Sequence, residues 1–300
     1  MAIQHFLTLL DLPATDLKAI VKRASELKID PDLATNHSRK TLGLIFEKSS
    51  TRTRVAFEVA MNQMGGSSVF LTSDSSQLGR GEPVADTARV LSRMTDCLAI
   101  RTFEHSKLEN FAEYSKVPII NALSDNYHPC QLLADVQTFN EHRGDISGKV
   151  VTWVGDGNNM CQSYINAATA FDFELRIACP DGFWPNSELL SKHSNRVSIR
   201  KNPEEAASGA DLVVTDVWAS MGQEQEQQSR IKEFINYQVT PELMSLAAPG
   251  AIFMHCLPAH RGEEVSPNLI DASNSLVWEE AENRMHSQKA LIEFLLASNV

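Results

Sequence analysis

The 300-residue chain has no apolar run approaching the ~18–20 residues that a bilayer-spanning helix needs. No membrane partner is expected. The opening, M-A-I-Q-H-F-L-T-L-L-D-L-P, has neither a basic n-region nor a small-residue cleavage site. No signal or transit peptide is expected, and the cytoplasm is the expected compartment. Cysteine is scarce: five residues, at 97, 130, 161, 179 and 256, an odd number with no pair at zinc-ligand spacing. Neither a disulfide framework nor a structural metal is expected. Basic charge is short as well. A net charge of −11 and the lack of any long Lys/Arg run leave no basic face for nucleic acid. No repeat at a solenoid period is visible. The one biased segment, Q-E-Q-E-Q-Q at 223–228, reads as an exposed helix start or loop.

What is present is apolar content sufficient for real cores, 43% of the chain, in a regular alternation. Strands are expected at 41–46, 67–71, 97–101, 118–121, 149–154, 174–179, 211–214, 251–254 and 275–278. Expected helices include 52–64, 85–95, 104–115, 129–142, 159–170, 203–208, 227–236, 241–246 and 283–297. Strand–helix alternation with short connections is the signature of parallel α/β sheets. The glycine-bearing stretch H-R-G-D-I-S-G, 142–148, marks a break. The expected architecture is therefore two doubly wound α/β domains, with four strands before the break, five after it, and an active site in the cleft between them.

The stretch K-S-S-T-R-T-R-V-A-F, 48–57, concentrates hydroxyls and arginines between a strand and a helix. Ligands of parallel sheets gather outside the strands' carboxyl ends. Ser50 or Thr51 suits an N-cap. The first-turn N–H groups that remain free favour an anion, and Arg52 and Arg54 add fork-shaped donors suited to phosphate. The plain alternative is a capped helix with solvated arginines. This is not a Walker loop, because the glycines and the G-K-[ST] ending are missing. Arg101 follows C-L-A-I, and His128 and Gln131 follow P-I-I-N, with Pro129 at a first helical position. Each has a bland reading, as a surface ion pair or a turn, but all share the strand-end location.

The later half has its own polar cluster. V-G-D-G-N-N-M, 154–160, invites a dinucleotide-binding reading, but Met160 stands where a third glycine is needed. Asn158 and Asn159 suit a polar, zwitterionic ligand better. In T-D-V-W-A-S-M-G, 215–222, Asp216 can counter an ammonium and Ser220 can donate or accept. M-H-C-L-P-A-H-R-G, 254–262, places Cys256 beside His255. Neighbours on a strand point to opposite faces, which argues against a thiol–imidazole nucleophile. Arg284 lies near the start of the last expected helix, where an exposed pair with Glu280 is the plain reading.

S-T-R-T-R at 50–54, R-T at 101–102, H-P-C-Q at 128–131, G-D-G-N-N at 155–159, D-V-W-A-S-M-G at 216–222, H-C-L-P at 255–258 and E-N-R at 282–284 appear in this order. Together they resemble the carbamoyltransferases, and within them the ornithine branch, over essentially the whole chain. The aspartate branch carries H-P-L-P where H-C-L-P stands here. The resemblance implies a carbamoyl-phosphate-binding domain over 1–142, an ornithine-binding domain over 148–282, and a last helix, 283–300, packing back on the first. It implies carbamoyl phosphate held by Ser50, Thr51, Arg52, Thr53, Arg101, His128 and Gln131, with Gln77 reaching a neighbouring subunit's site. It implies L-ornithine held by Asn159, Asp216, Ser220 and Met221, and a reacting centre lined by Cys256, the backbone of Leu257, and Arg284. Arg101, His128, Cys256 and Arg284 are the implied catalytic residues. No metal or organic cofactor is implied, and a homotrimer or a multiple of trimers is. Carbamoyl transfer to the δ-amine, in arginine biosynthesis, is the expected activity, with S-M-G and the following Gln/Glu run as a movable lid. A relative acting on putrescine or an acylated ornithine, a nucleotide-dependent dehydrogenase, and a non-catalytic binding protein are the competing readings.

Overall fold

The structure is a computed structural model and describes residues 3–72, 79, 81–219 and 226–298. Its strands are β1 (Thr41–Phe46), β2 (Ser67–Thr72), β3 (Cys97–Arg101), β4 (Ile119–Leu123), β5 (Val150–Val154), β6 (Glu174–Ala178), β7 (Val197–Ile199), β8 (Leu212–Thr215) and β9 (Ile252–His255). Its helices are α1 (Ala14–Ile29), α2 (Thr51–Gln63), α3 (Val84–Leu91), α4 (His105–Tyr114), α5 (Pro129–Arg143), α6 (Asn159–Phe171), α7 (Ser187–Lys192), α8 (Pro203–Ala207), α9 (Gln227–Phe234), α10 (Pro241–Met244) and α11 (Val277–Ser298). The chain divides into two compact units. One comprises Met1–Gln137 with Glu282–Val300, and the other Thr138–Ala281.

The first unit holds a parallel sheet in the order β2-β1-β3-β4. β1 and β3 are buried almost throughout, as continuous apolar strands covered on both faces must be. Ile45, Leu98, Ile100 and Ile119 pack with Ala88 of α3 and with Leu108 and Phe111 of α4. The pairing of β3 with β4 slips between Ile100 and Arg101. Such an irregularity re-aims a side chain at a strand end, and here that side chain is Arg101. The later turns of α11 belong to this unit. Arg23 Nε donates to Glu293 Oε2 at 2.9 Å, Lys28 Nζ to Asn283 Oδ1 at 2.9 Å, and Gln137 Nε2 to Asn283 Oδ1 at 3.3 Å.

The second unit holds a parallel sheet in the order β7-β6-β5-β8-β9. Val154, Val213 and Phe253 share a core with Val239, Val265, Leu269, Ile270 and Val277. The sheet does have five strands, but the fifth is not the expected one. Residues 275–278 form no strand: Ser275 makes a single bridge to Phe253, and α11 begins at Val277. A short apolar run such as S-L-V-W does not distinguish a strand from the buried start of a helix. Here the run caps the sheet through the Leu276 N–H on the Phe253 carbonyl at 2.9 Å and then turns helical. The fifth strand is β7, V-S-I, too short to display a period of two. α1 and α7 also extend the expected set. In α1 the buried stripe Leu17, Ile20, Val21, Ala24 and Leu27 has helical spacing.

Gly157 shows how tightly the β5–α6 loop is packed. A Cβ there would lie 2.2 Å from Pro185 N, 2.5 Å from Trp184 C and 2.6 Å from the Phe183 carbonyl oxygen, all backbone atoms. The Gly157 N–H meanwhile donates to that same carbonyl at 2.8 Å. Gly157→Ala is therefore expected to destabilise the protein by about 1–3 kcal/mol through overpacking, read as a lower urea midpoint with an unchanged slope.

Candidate functional site

In the first unit the polar stretch folds as a capped helix start. Ser50, in extended backbone, accepts the Thr53 N–H on its Oγ at 3.3 Å. Thr51 and Arg52 are exposed at the helix N-terminus, where orphan N–H groups and the helix dipole favour an anion. Arg54 departs from the expectation. It pairs with Glu58 at 3.0 Å and lies over the Phe70 ring, 3.7 Å from its centroid. Two residues along the helix, about 200° of rotation, thus separate Arg52, exposed at the helix N-terminus, from Arg54, spent on its own helix and on β2. Lys48, at the head of the same stretch, is bonded to Asp125 and lies over the Phe103 ring.

Arg284, from α11, supplies a charge that its sequence neighbours did not locate. Its Nη1 donates to Gln131 Oε1 at 2.5 Å and its Nη2 to Thr53 Oγ1 at 3.1 Å. Gln131 in turn donates to Asp135 at 2.9 Å. The plain reading of Arg284 as an exposed surface charge does not hold: it is 3% exposed. Thr53, Gln131 and Arg284 are thus directly bonded. His128 belongs to the same electrostatic group. Its pKa is held well below the usual histidine value by burial first, and then by the charges of Arg284 and Arg101. An imidazole in that setting is neutral at pH 7 and can donate one hydrogen bond without adding charge. Cys130, buried two residues further on, is pushed up to about 12 by burial and is no nucleophile.

In the second unit the corresponding centre is an acid. Asn158 caps α6, its Oδ1 accepting the N–H groups of Met160 at 2.9 Å and Cys161 at 3.2 Å. Its Nδ2 donates to Asp216 Oδ2 at 2.9 Å. The other Asp216 oxygen accepts the Cys256 thiol at 3.2 Å. Asp216 is buried, whereas Cys256, Leu257 and Asn159 are half-buried. His255 faces away from the thiol. Its Nδ1 accepts the Leu257 N–H at 2.9 Å, which assigns the proton to Nε2, and Nε2 meets Glu264 Oε1 at 3.0 Å with both side chains fully buried. The Cys256 thiol is therefore bonded to a carboxylate, while both nitrogens of its neighbour His255 are engaged elsewhere. Leu257 sits at φ +55°, a region a leucine rarely occupies, and its backbone is held there by His255. Asp216, His255 and Cys256 bring possible metal-ligand atoms within 4.8 Å of one another. Both His255 nitrogens are already engaged within the protein.

Gln77, Ser220 and Met221 lie outside the described residues, as do 223–225 of the expected lid. The sequence reading missed the capping role of Asn158 and the Glu264 support of the H-C-L-P turn. The first was legible as an Asn at a helix start; the second depends on a nine-residue return of the chain.

Two family models match, together spanning most of the chain. The carbamoyl-P binding domain of aspartate/ornithine carbamoyltransferase matches residues 4–141, and the Asp/Orn binding domain matches 147–295. An ornithine carbamoyltransferase from Nitrosococcus oceani is 61% identical over 299 residues, 99% of this chain and 98% of that protein. One from Psychrobacter sp. is 58% identical, covering 100% of this chain and 99% of that protein. Among solved structures, ornithine carbamoyltransferase from Burkholderia thailandensis matches with TM-score 0.92 at 46% identity, over 99% of this chain and 100% of that one. The anabolic enzyme from Campylobacter jejuni matches with TM-score 0.93 at 42% identity, over 99% and 100%.

The neutral state of His128 is open to measurement. With the folded pKa below the unfolded one, stability contributed by the neutral ring is present above the unfolded value, about 6.5, and is lost as pH falls below it. Carbon-13-labelled histidine should show the His128 ring staying neutral well below the ordinary histidine value. That signal should be missing in His128→Asn. A His128 ring that titrates near its ordinary value would show that Arg101 and Arg284 do not act on it.

Proposed function

From the premise that this chain belongs to the aspartate/ornithine carbamoyltransferase family, we propose how its own residues divide the work of the reaction. The protein is an ornithine carbamoyltransferase: it moves the carbamoyl group of carbamoyl phosphate to the δ-amine of L-ornithine, releasing L-citrulline and phosphate. The observation that carries the residue assignment is the Arg284 fork on Gln131 and Thr53, beside the N-terminus of α2.

The phosphate of carbamoyl phosphate takes the N-terminus of α2, with Ser50, Thr51, Arg52 and Thr53 as donors. Arg101, Gln131 and Arg284 complete that anion site. The leaving group departs with its negative charge already compensated by Arg52 and the helix end. Charge that develops on the carbamoyl oxygen in the tetrahedral intermediate needs donors fixed in advance. Arg101, neutral His128 and Thr53 serve. A neutral imidazole suits this task because it donates without repelling the neighbouring guanidinium groups.

Ornithine takes the second unit, with Asn159 and Asp216 for its charged ends, Ser220 and Met221 beside them, and Cys256 with the Leu257 backbone toward the reacting amine. A free amine of this kind has a pKa of about 10.4, so on the order of a thousandth is neutral at pH 7. The attacking form is the neutral one, and the half-buried thiol held on Asp216 gives it a polar neighbour of low charge. The departing phosphate accepts the amine proton, so no dedicated general base is required. Supply of citrulline for arginine biosynthesis, in the cytoplasm, is the role that the high identity to bacterial relatives supports. A homotrimer, with Gln77 entering the next subunit's phosphate site, is the assembly that the family resemblance supports. Among the described residues no helix is long and apolar enough to cross a membrane.

Purified protein given carbamoyl phosphate and a panel of amines tests this assignment. Citrulline and phosphate should appear in equal amounts with ornithine, with little turnover of N-acetylornithine, putrescine or aspartate. Turnover confined to another amine would overturn the ornithine assignment while leaving the phosphate site intact.

A further inference from the structure

The β5–α6 loop and the segment leaving β8 are tied together twice. One tie is the Asn158–Asp216 hydrogen bond at 2.9 Å. The other runs through Arg230, a residue of α9 that the reaction as described does not use. Arg230 is 8% exposed, although it is an arginine on a short surface helix. Its Nη1 donates to Asp156 Oδ2 at 2.9 Å and to the Trp218 carbonyl at 2.8 Å. Its Nε donates to Glu226 Oε2 at 3.1 Å. The guanidinium also lies over the Phe183 ring, 5.0 Å from its centroid, and Phe183 and Trp218 both pack on Phe234. Asp156 is two residues before Asn158, and Trp218 is two residues after Asp216. The second tie therefore flanks the first, two residues nearer the strand on the β5 side and two residues further from it on the β8 side.

The chemistry of Asp156 makes this more than packing. Burial pushes its carboxyl up to about 6, against the pull of Arg230, and the charge of Asp216 pushes the same way as burial. Asp156 and Asp216 thus lie in one neighbourhood, and Asp156 has the arginine, which it shares with Glu226. Arg230 pairs with Asp156 and leaves Asp216 as the acid that meets a cationic ligand. The loop backbone beside Asp156 is held by bonds of its own: the Asp156 carbonyl accepts the Trp153 Nε1–H at 2.9 Å, and the Gly157 N–H donates to the Phe183 carbonyl at 2.8 Å.

We propose that Arg230 and Asp156 form a positioning pair for the amine substrate. By fixing the register of the segments that carry Asn159 and Asp216, and by pairing Asp156 away from Asp216, Arg230 and Asp156 set ornithine affinity without touching ornithine. The proposal rests on the ornithine reading of this unit. Sites are held in productive geometry by such supporting bonds, and a shift of about 1 Å can cost on the order of a hundredfold in rate.

The test compares full-length wild type with Arg230→Met, Arg230→Lys, Asp156→Asn and the Arg230→Met/Asp156→Asn double variant, by steady-state kinetics in both substrates. Arg230→Met should raise the ornithine KM roughly tenfold or more, with the carbamoyl phosphate KM within about twofold of wild type. Arg230→Lys should recover part of the loss. Asp156→Asn should add little to Arg230→Met, because the two residues act as one unit. Thermal unfolding identifies variants that do not fold. If Arg230→Met is among them, Arg230→Lys and Asp156→Asn carry the comparison. A folded variant with an unchanged ornithine KM, or one whose two KM values rise together, overturns the proposal. A wild type that makes no citrulline overturns the ornithine reading itself, whereas an active wild type with insensitive variants overturns only the positioning role.

Discussion

Both sheets of this protein are parallel and covered on both faces, and that constraint decides where chemistry can be. A strand such as β3 or β9 is buried almost end to end, so it tolerates polar side chains only where it stops. Arg101 closes β3, the stretch from Ser50 follows β1, Asn158 follows β5, Asp216 follows β8 and Cys256 follows β9. The helices that begin there contribute their unsatisfied N–H groups at the same ends, which reinforces the arrangement.

The two units use these ends in opposite ways. The first gathers cations and keeps the one titratable ring among them, His128, uncharged by burial and by its arginine neighbours. Arg101, His128, Gln131 and Arg284 are buried there, whereas Thr51 and Arg52 are exposed. The second centres on a carboxylate, Asp216, held by an amide on one oxygen and a thiol on the other. Neutral partners of this kind orient the acid without consuming its charge, and the charge remains available for an ammonium group. Arg230 fits the same logic, since it pairs with Asp156, the neighbouring acid, and leaves Asp216 to its neutral partners.

Several readings of single residues failed for identifiable reasons. Arg54 looked equivalent to Arg52, but a helix turns about 100° per residue and points the two in different directions. Arg54 therefore met Glu58 and Phe70. The run at 275–278 looked like a strand because apolar runs of four residues carry no readable period. β7 was missed for the same reason, at three residues. The support of Leu257 by His255, and of His255 by Glu264, depends on how the chain returns after the turn, and no local pattern signals it.

The sequence by itself determined the α/β class, the alternation of strands and helices, and the polar stretches at strand ends, because burial periodicity and helix capping are local properties. It also carried the ordered motifs by which the family is recognised. Only the tertiary structure decided which charges meet. Arg284 reaches Thr53 across 231 positions of chain and Gln131 across 153, and Arg230 reaches Asp156 across 74. A charge's role depends on its partners and on its distance from water, and neither is written in its immediate neighbours.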